Sequence, residues 1–528
     1  MTLSASDISI ADAALTSVAE EMGEALGRTA YSPNIKERRD HSCGVFDAEG
    51  VMVAQAAHIP VHLGAMPAAV RAVMDLAPFA PGDVLALNDP FLGGTHLPDL
   101  TTIAPVFAGG DTPIAFVATR AHHADVGGMA PGSMPVATEL LQEGLIVPPL
   151  RLVDAGLPNE SAIALIVRNS RAPEERRGDL RAQLAATALG ARRVEALVAR
   201  FGVEGLQERF RALLDHGERV IRSVISEIPD GRYEFEDTLE IEGGLRIHLA
   251  LAVEGESVHF DFTGTAPETA LASLNAVAAV THSACYYAIR CLAGRDAPAN
   301  EGCYRPVRFT LPERSLVSAG PPRAVSAGNV ETSQRIVDVA LGALALALPE
   351  RIPAASQGTM NNITIGGYDT RRGRPYAYYE TIAGGAGGGP TRAGRSGVHT
   401  HMTNTMNTPV EALPLAYPFT VERYELRPGT GGAGQHPGGD GLVREYRFED
   451  DATVTVVTER RQVPPWGLAG GASGALGRNT VIRADGGTED LGARAQVHVG
   501  PGDRVRIETP GGGGWGTPAT ADAESTDR

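Results

Sequence analysis

Two apolar segments of this sequence run directly into clusters of histidine, aspartate and glycine. Residues 83–87 lead into the segment 88–99, and residues 113–118 lead into the segment 120–128. Short apolar runs bounded by turn residues predict buried strands. Gly and Pro at the density found here predict turns, which allow side chains from separate strands to converge. We therefore expect the chemistry of this protein within residues 88–128.

The histidines and carboxylates of this region predict a divalent-metal site. His96 and Asp99 stand three residues apart in a Gly/Pro loop, and His122 and His123 follow the second strand. Five of the 14 histidines fall between residues 58 and 123. Neutral imidazole with carboxylate is a ligand set for Zn, Mn or Fe. Surface loops also contain His and Asp by chance. The prediction of a metal site therefore depends on the clustering of these residues directly after two predicted strands. At most one of His122 and His123 is expected to point into the site.

Catalytic roles are predicted for Asp125 and His123. Asp125 is a candidate ligand, a candidate acceptor that orients an imidazole N–H, or a general base. The alternative is a simple Asx turn within Asp125–Gly128. His399 and His401 alternate as strand residues do, and for these two we favour a structural role.

Composition excludes several functions. With 46 basic and 63 acidic residues, the net charge of −17 disfavours nucleic acid as a partner. Lys36 is the only lysine, and no glycine stands in the residues directly before it, so the chain has no P-loop; if ATP is used, another chain holds it. The four cysteines form no C-x-x-C pair, which favours reduced thiols. With no long apolar run and a polar start, we expect no membrane span, no signal peptide and a cytoplasmic protein.

The order of predicted elements indicates a mixed α+β, multi-domain chain, with a helical and mixed-sheet N-terminal half and a Gly-rich, β-containing C-terminal half. Helices are predicted at 7–27 with Asp7 as cap, 66–76, 173–228, 270–292 and 332–348. Antiparallel strands are predicted within 231–264, and glycine-rich loops at 384–389 and 431–441. The predicted domains are a metal-site α/β domain at 1–230, a mixed strand and helix domain at 231–350, a Gly-rich β-rich domain at 351–518, and a disordered tail at 519–528.

Many ordered segments of the chain resemble the hydantoinase B/oxoprolinase family. This family includes the B-type component of ATP-dependent N-methylhydantoinase, the C-terminal half of 5-oxoprolinase, lactam hydrolases and acetone carboxylase alpha subunits. The resemblance spans almost the whole chain, and its matching segments are residues 32–40, 58–64, 88–99, 122–128, 131–134, 178–180, 261–264, 328–338, 356–362, 379–381, 464–468 and 511–516.

The resemblance implies that this chain is one half of a two-part enzyme. A hydantoinase A-type partner, related to actin-like ATPases, would use ATP-Mg to phosphorylate the amide or carbonyl oxygen of the substrate. The B-type chain would carry a divalent metal and finish the reaction. The ligands implied by the family are Asp40, His96, Asp99 and His122.

The function expected from these observations is ATP-dependent hydrolysis of a cyclic amide such as a hydantoin, 5-oxoproline or a lactam. Water activated by the metal would attack the phosphorylated carbonyl. A biotin-independent ketone carboxylase component is one alternative. A non-catalytic scaffold that regulates the A-type partner is another. The expected assembly is a dimer of heterodimers.

Overall fold

The computed structural model describes residues 3–56, 59–294 and 297–518, so the predicted disordered tail at 519–528 lies outside the described residues. Within these ranges four β-sheets and nine α-helices occur. The predicted α+β class is confirmed by this mixture. None of the described helices combines the length and the apolar character needed to cross a bilayer.

The first sheet contains the two predicted strands that precede the His and Asp clusters. Its seven strands are antiparallel to their neighbours and follow the order β2-β1-β5-β4-β3-β6-β7. The strands are β1 (His41–Asp47), β2 (Met52–Ala56), β3 (Val84–Leu87), β4 (Asp99–Val106), β5 (Ala115–His122), β6 (Leu150–Asp154) and β7 (Leu157–Pro158). Strand β4 was not predicted: the sequence placed Asp99 in a loop, whereas in the structure this residue opens the strand.

Six helices accompany this sheet. They are α1 (Ala5–Thr29), α2 (Pro33–Lys36), α3 (Ala65–Ala72), α4 (Glu160–Arg168), α5 (Pro173–Phe201) and α6 (Val203–Ile225). Helix α1 packs against α5. The prediction that Asp7 caps α1 is wrong by one turn: Ser4 is the N-cap, and Asp7 closes a capping box by accepting from Ser4 N at 3.0 Å. The single helix predicted at 173–228 is two, because Gly202 has φ 71° and ends α5.

The second sheet follows the order β11-β10-β9-β8, with only β10 and β11 parallel among its pairs. Its strands are β8 (Gly231–Leu239), β9 (Leu245–Glu254), β10 (Ser257–Asp261) and β11 (Val307–Thr310), and its helices are α7 (Ala278–Ala293) and α8 (Ser333–Ala347). Helix α8 packs on β8 and β9. Helix α7 starts later than predicted, because Ala272 and Ser273 adopt positive φ and cannot continue a helix. A short π-helix, Gly328–Thr332, leads into α8.

The C-terminal part contains two more sheets, in the orders β13-β12-β16-β19 and β14-β15-β20-β17-β18. Their strands are β12 (Asn362–Asp369), β13 (Arg374–Thr381), β14 (Phe419–Arg427), β15 (Gly441–Phe448), β16 (Ala452–Val457), β17 (Arg478–Ile482), β18 (Thr488–Asp490), β19 (Arg494–Val499) and β20 (Arg504–Glu508), with the short helix α9 (Leu413–Ala416) before β14. The largest hydrophobic cluster extends from Phe46 to Val457, so one core joins all three predicted domains.

The glycine-rich segments pack against one another by their backbones. A Cβ atom at Gly385 would lie 2.0 Å from Gly439 O, and one at Gly512 would lie 2.1 Å from Ala386 O. Backbone hydrogen bonds join the same segments, with Gly439 N donating to Ala386 O at 2.8 Å. These predicted loops therefore approach one another closely within the chain, at positions where only glycine fits.

Candidate metal centre

Strands β4 and β5 bring Asp99 and His122 together. Asp99 is the first residue of β4 and His122 the last of β5, and the two are direct partners in the antiparallel ladder. His96 lies just before β4, in a turn in which Asp99 N donates to His96 O at 3.0 Å. Paired residues on adjacent strands place their side chains side by side. The sheet thus brings His122 to His96 and Asp99, which precede it by more than 20 residues in sequence.

The polar atoms of this cluster converge closely. His96 Nε2 and His122 Nδ1 each lie 3.3 Å from Asp99 Oδ1, and the two nitrogens are 3.2 Å apart. All three side chains are buried. Among the described residues, these three form the group of His, Cys, Asp and Glu whose ligand atoms lie near enough together, within 4.8 Å, to hold a metal ion.

Asp40, the fourth predicted ligand, lines a small cavity together with His96, Asp99 and His122. Its backbone oxygen accepts from His122 N at 3.0 Å, and its carboxylate lies 3.9 Å from Arg38 Nη2. The cluster cavity, as we call it, measures about 20 Å³, which is room for one ion or one water. The residues that line it are Asp40, Ile59, Val61, His62, His96, Asp99, His122, Asn329, Val330, Met360, Tyr379, Thr381, Met402, Thr403 and Thr405.

Burial and neighbouring charges shift the pKa values of these groups, favouring the ionised form of Asp99 but the protonated form of Asp40. Burial raises the pKa of Asp99, but the neighbouring His96, His122 and His62 outweigh it and hold this pKa well below its usual range. Burial lowers the pKa of His122 and of His62, against the attraction of Asp99. Burial raises the pKa of Asp40, against the attraction of His122 and Arg38. An ionised carboxylate beside neutral imidazoles is the form in which such side chains bind metals.

A second set of side chains orients Asp99. Its Oδ2 atom accepts from Thr95 Oγ1 at 2.5 Å and lies 3.5 Å from His62 Nε2. The other ring nitrogen of His62 lies 2.9 Å from Ser42 Oγ. In the sequence, His62 stood out only as a member of the histidine cluster and received no predicted role. Its position depends on the turn at Pro60–His62, which sequence periodicity does not reveal.

An aromatic ring from the C-terminal part closes the cluster. Tyr379 in β13 stacks on His122 with ring centroids 4.4 Å apart and an interplanar angle of 17°. Its hydroxyl donates to Asn362 Oδ1 at 2.8 Å, and Asn362 Nδ2 donates to Glu331 Oε1 at 2.7 Å. Burial raises the pKa of Glu331 to about 8. Tyr379 belongs to a segment that carried the family resemblance but gave no separate signal of a site residue.

His123 lies on the other side of the sheet from the cluster. Its Nε2 atom is 2.6 Å from Oε1 of Gln183 in α5, and burial together with Arg176 lowers its pKa to about 3. Successive residues of an extended chain point to opposite faces. In the structure, His122 therefore belongs to the cluster, whereas His123 packs against helix α5.

Asp125 forms the Asx turn that the sequence offered as the alternative to a catalytic role. Its Oδ1 accepts from Gly127 N at 3.2 Å and from Arg171 N at 2.9 Å. Its Oδ2 accepts from Gly132 N at 3.0 Å and from Arg171 Nη1 at 2.9 Å. Four donors thus occupy both oxygens of a buried carboxylate. This arrangement fixes a loop, and the donors compete with any proton transfer by Asp125.

We expect Asp125→Asn to lower stability and to leave metal content unchanged. The amide cannot accept from all four donors, so the free energy of unfolding should fall by about 1–3 kcal/mol. Urea unfolding and metal analysis measure the two quantities. Asp111→Asn, in the exposed turn between β4 and β5, is the matched control and should change neither. Unchanged stability with lost turnover would instead support the predicted role as a general base.

Three further histidines stood out in the sequence. His58 lies outside the described residues. His399 and His401 line a cleft that adjoins the cluster cavity.

The chemistry of the cluster fits a divalent cation. Two imidazole nitrogens and one carboxylate oxygen converge on a small enclosed space, with a second carboxylate on its wall. Catalytic metal sites commonly use three protein ligands and leave further positions open. The nitrogens His96 Nδ1 and His122 Nε2, on the outer sides of the rings, have no hydrogen-bond partner among the described residues. Neither ring is therefore fixed by a hydrogen bond on its outer side.

The chain is similar to proteins of several organisms. It is 41% identical over 512 residues to an uncharacterised protein of Methanocaldococcus jannaschii, covering 96% of this chain and 89% of that one. It is 41% identical over 529 residues to 5-oxoprolinase 1 of Arabidopsis thaliana, covering 95% of this chain but only 41% of that one. It is 29% identical over 536 residues to a putative B-type D-/L-hydantoinase component of a Pseudomonas strain, covering 97% and 89%.

Two solved structures share the fold. The ATP-dependent caprolactamase of Pseudomonas jessenii superposes with a TM-score of 0.91 at 28% identity, over 98% of this chain and 92% of that one. A nucleotide-free acetone carboxylase superposes with a TM-score of 0.89 at 18% identity, over 97% and 75%, which shows a common fold. The sequence profile of Hydantoinase B/oxoprolinase matches residues 5–518. The resemblance predicted from the sequence is thereby confirmed, and the chain belongs to the hydantoinase B/oxoprolinase family.

Proposed function

We propose that this chain is the B-type component of an ATP-dependent cyclic-amide hydrolase. The observation that carries the proposal is the buried convergence of His96, Asp99 and His122. Similarity to a caprolactamase over nearly the full length, and to a protein named 5-oxoprolinase, supports a lactam-type substrate. A lactam carbonyl is a poor electrophile because amide resonance stabilises it. Phosphorylation of its oxygen on a partner chain would turn that oxygen into a leaving group.

In this proposal Asp40, His96, Asp99 and His122 hold one divalent metal. When bound, the metal supplies Lewis acidity and lowers the pKa of water from about 16 toward about 7. Thr95 and His62 fix the second oxygen of Asp99, so that its first oxygen stays directed at the two imidazoles. Tyr379 covers one face of His122 and shields the cavity from bulk water. Outer contacts of this kind orient ligands and tune their basicity.

The proposal assigns ATP chemistry to an A-type partner. The name of the Pseudomonas relative, which marks it as the B-type component of a hydantoinase, supports a partner of this kind. A phosphorylated amide is labile in water, so it should pass between chains without escaping. That favours a permanent interface, on the order of 2,000 Å² or more, in a complex with equal numbers of both chains, such as a dimer of heterodimers.

We expect the purified chain alone to leave ATP intact. The single lysine of the chain is not preceded by a glycine-rich phosphate-binding loop. The chain therefore lacks the P-loop that binds the triphosphate in many ATPases. A phosphate-release assay with ATP and Mg²⁺ measures this, and the co-expressed complex is the positive control. Sustained ATP hydrolysis by the chain alone, at a rate unaffected by further purification, would contradict the division of labour.

Substrate profiling of the complex tests the function. We expect ATP-dependent opening of at least one ring among caprolactam, hydantoin and 5-oxoproline, measured by mass spectrometry. A His96→Ala complex should open none of them. Consumption of bicarbonate with a ketone would favour the carboxylase alternative, which rests on the shared fold. Full activity of a metal-free complex would favour the regulatory scaffold.

A further inference from the structure

A large cleft opens beside the cluster cavity. It measures about 840 Å³ and is formed by the loop 386–395, the segment 398–405 and side chains such as Tyr287 and Arg351. Thr403 and Thr405 line both the cleft and the cluster cavity. Pockets of this size accept small organic ligands, whereas about 20 Å³ does not. The cleft is therefore a space beside the cluster that is large enough for a ring-containing substrate.

The charge of this cleft is opposite to that of the whole protein. Its lining contains Arg351, Arg392 and Arg395 and, among the described residues, no aspartate or glutamate. The chain as a whole carries 63 acidic and 46 basic residues. A cleft lined by charge of one sign concentrates ligands of the other sign. The lining therefore indicates an anionic ligand.

Two of these arginines have unused hydrogen-bonding groups. Arg351 donates to Glu227 Oε2 at 2.9 Å, which offsets its charge. The exposed side chains of Arg392 and Arg395 make no ion pair or hydrogen bond within residues 3–56, 59–294 and 297–518. Their loop is nevertheless fixed, because Gly389 N donates to Arg392 O and Ala386 N donates to Arg395 O, both at 2.9 Å. Two guanidinium groups are thus presented on an ordered backbone.

The segment next to the Thr403–Thr405 wall carries further polar groups without partners. His399 Nε2 and Thr400 Oγ1 are buried and have no hydrogen-bond partner in the described part of the chain. Burial lowers the pKa of His399 to about 4, so its ring is neutral near pH 7. Buried polar atoms usually find a partner, so these two atoms leave hydrogen-bonding capacity unused beside the cleft.

We propose that this cleft binds the phosphoryl group of the activated substrate through Arg392 and Arg395. The inference rests on the proposed function and names the ligand class of the site as an O-phosphorylated cyclic amide. Guanidinium groups bind phosphate by paired, charge-assisted hydrogen bonds. With the phosphoryl group on the loop 386–395, the ring would lie against Thr403 and Thr405, and its carbonyl carbon would face the cluster.

Phosphate binding by the purified chain tests the anion site. The titration follows inorganic phosphate by ³¹P NMR, at constant ionic strength. We expect millimolar-range binding by the wild type and affinity about tenfold weaker in the double variant Arg392→Gln/Arg395→Gln. Arg192→Gln, at an exposed arginine of α5, is the matched control and should bind as the wild type does. Absence of phosphate binding, or equal affinity in the double variant, would overturn the proposal.

Turnover by the complete complex tests whether the anion is the activated substrate. We expect the double variant to retain ATP hydrolysis while the number of rings opened per ATP falls about tenfold. If the double variant binds phosphate more weakly but opens as many rings per ATP as the wild type, the cleft binds phosphate only after its release. That result would overturn the proposal. A wild-type complex that opens no ring would contradict the proposed function, and the phosphate titration separates that failure from failure of the anion site.

Discussion

His96→Ala is expected to remove the bound metal and with it all ATP-dependent ring opening, while the chain stays folded. His96 supplies one of three atoms that converge within 4.8 Å. Loss of an outer contact alone weakens metal sites roughly 10–100-fold, so loss of a ligand should weaken binding at least about 100-fold. Elemental analysis of the purified variant and substrate turnover by its complex measure the two effects.

The matched control is His436→Ala. His436 is half-buried in a glycine-rich segment, where its ring lies beside that of Trp515, and it is absent from the lining of the cluster cavity. This variant should keep its metal and its activity. If His96→Ala keeps full metal occupancy while the control behaves as the wild type, His96 is not a ligand of the metal.

Arg460→Met is expected to cause a large loss of stability among single substitutions outside the cluster. Arg460 is fully buried, and its Nη2 lies 2.9 Å from Asp237 Oδ2 and 2.5 Å from Asp338 Oδ2. Arg335 joins the same network through Asp237 Oδ1 at 2.9 Å and Glu459 Oε2 at 3.1 Å. These residues belong to β8, α8 and the segment after β16, so the network ties the central and C-terminal parts together.

The expected size of this effect follows from the unpaired charge that remains. Burial raises the pKa of Asp237, but Arg335 and Arg460 outweigh it and keep this carboxylate ionised. Removing one partner of a buried ion pair typically costs about 3–5 kcal/mol. Urea unfolding should show a loss of this order for Arg460→Met. Arg447→Met, which breaks only the exposed pairs with Glu422 and Glu449, should cost less than about 1 kcal/mol. Equal losses in the free energy of unfolding for both variants would contradict a special stabilising role of the buried network.

The sequence predicted the place of the cluster because local pattern determines it. Apolar runs ending in Gly, Pro, His and Asp identified the edge of a sheet where His96 and His122 meet, although they left open whether His122 or His123 faces inward. Alternation of side chains along a strand shows which of the two histidines faces the cluster, but only after the end of β5 at His122 is known. Asp99 was assigned to a loop, because residues 96–99 contain Pro98 and no alternating pattern.

Other parts of the site depend on contacts that no local pattern reveals. His62 reaches Asp99 only through a short turn whose geometry also involves Ser42. Tyr379 lies 257 positions beyond His122 in sequence, and only the folded chain brings its ring onto the imidazole of His122. Likewise, Asp125 was a candidate base in sequence, but its partners Arg171 and Gly132 become visible only in the folded chain.

Anomalous diffraction from crystals of the metal-loaded complex, recorded at the absorption edge of the metal, tests the proposed metal centre most directly. We predict a single strong peak per B-type chain in the cluster cavity, about 2.0–2.2 Å from His96 Nε2, His122 Nδ1 and a carboxylate oxygen of Asp99. The same peak should be absent in crystals of His96→Ala. A peak bound elsewhere in the chain, or an empty cluster in a complex that opens rings at the full rate, would contradict the proposed metal centre.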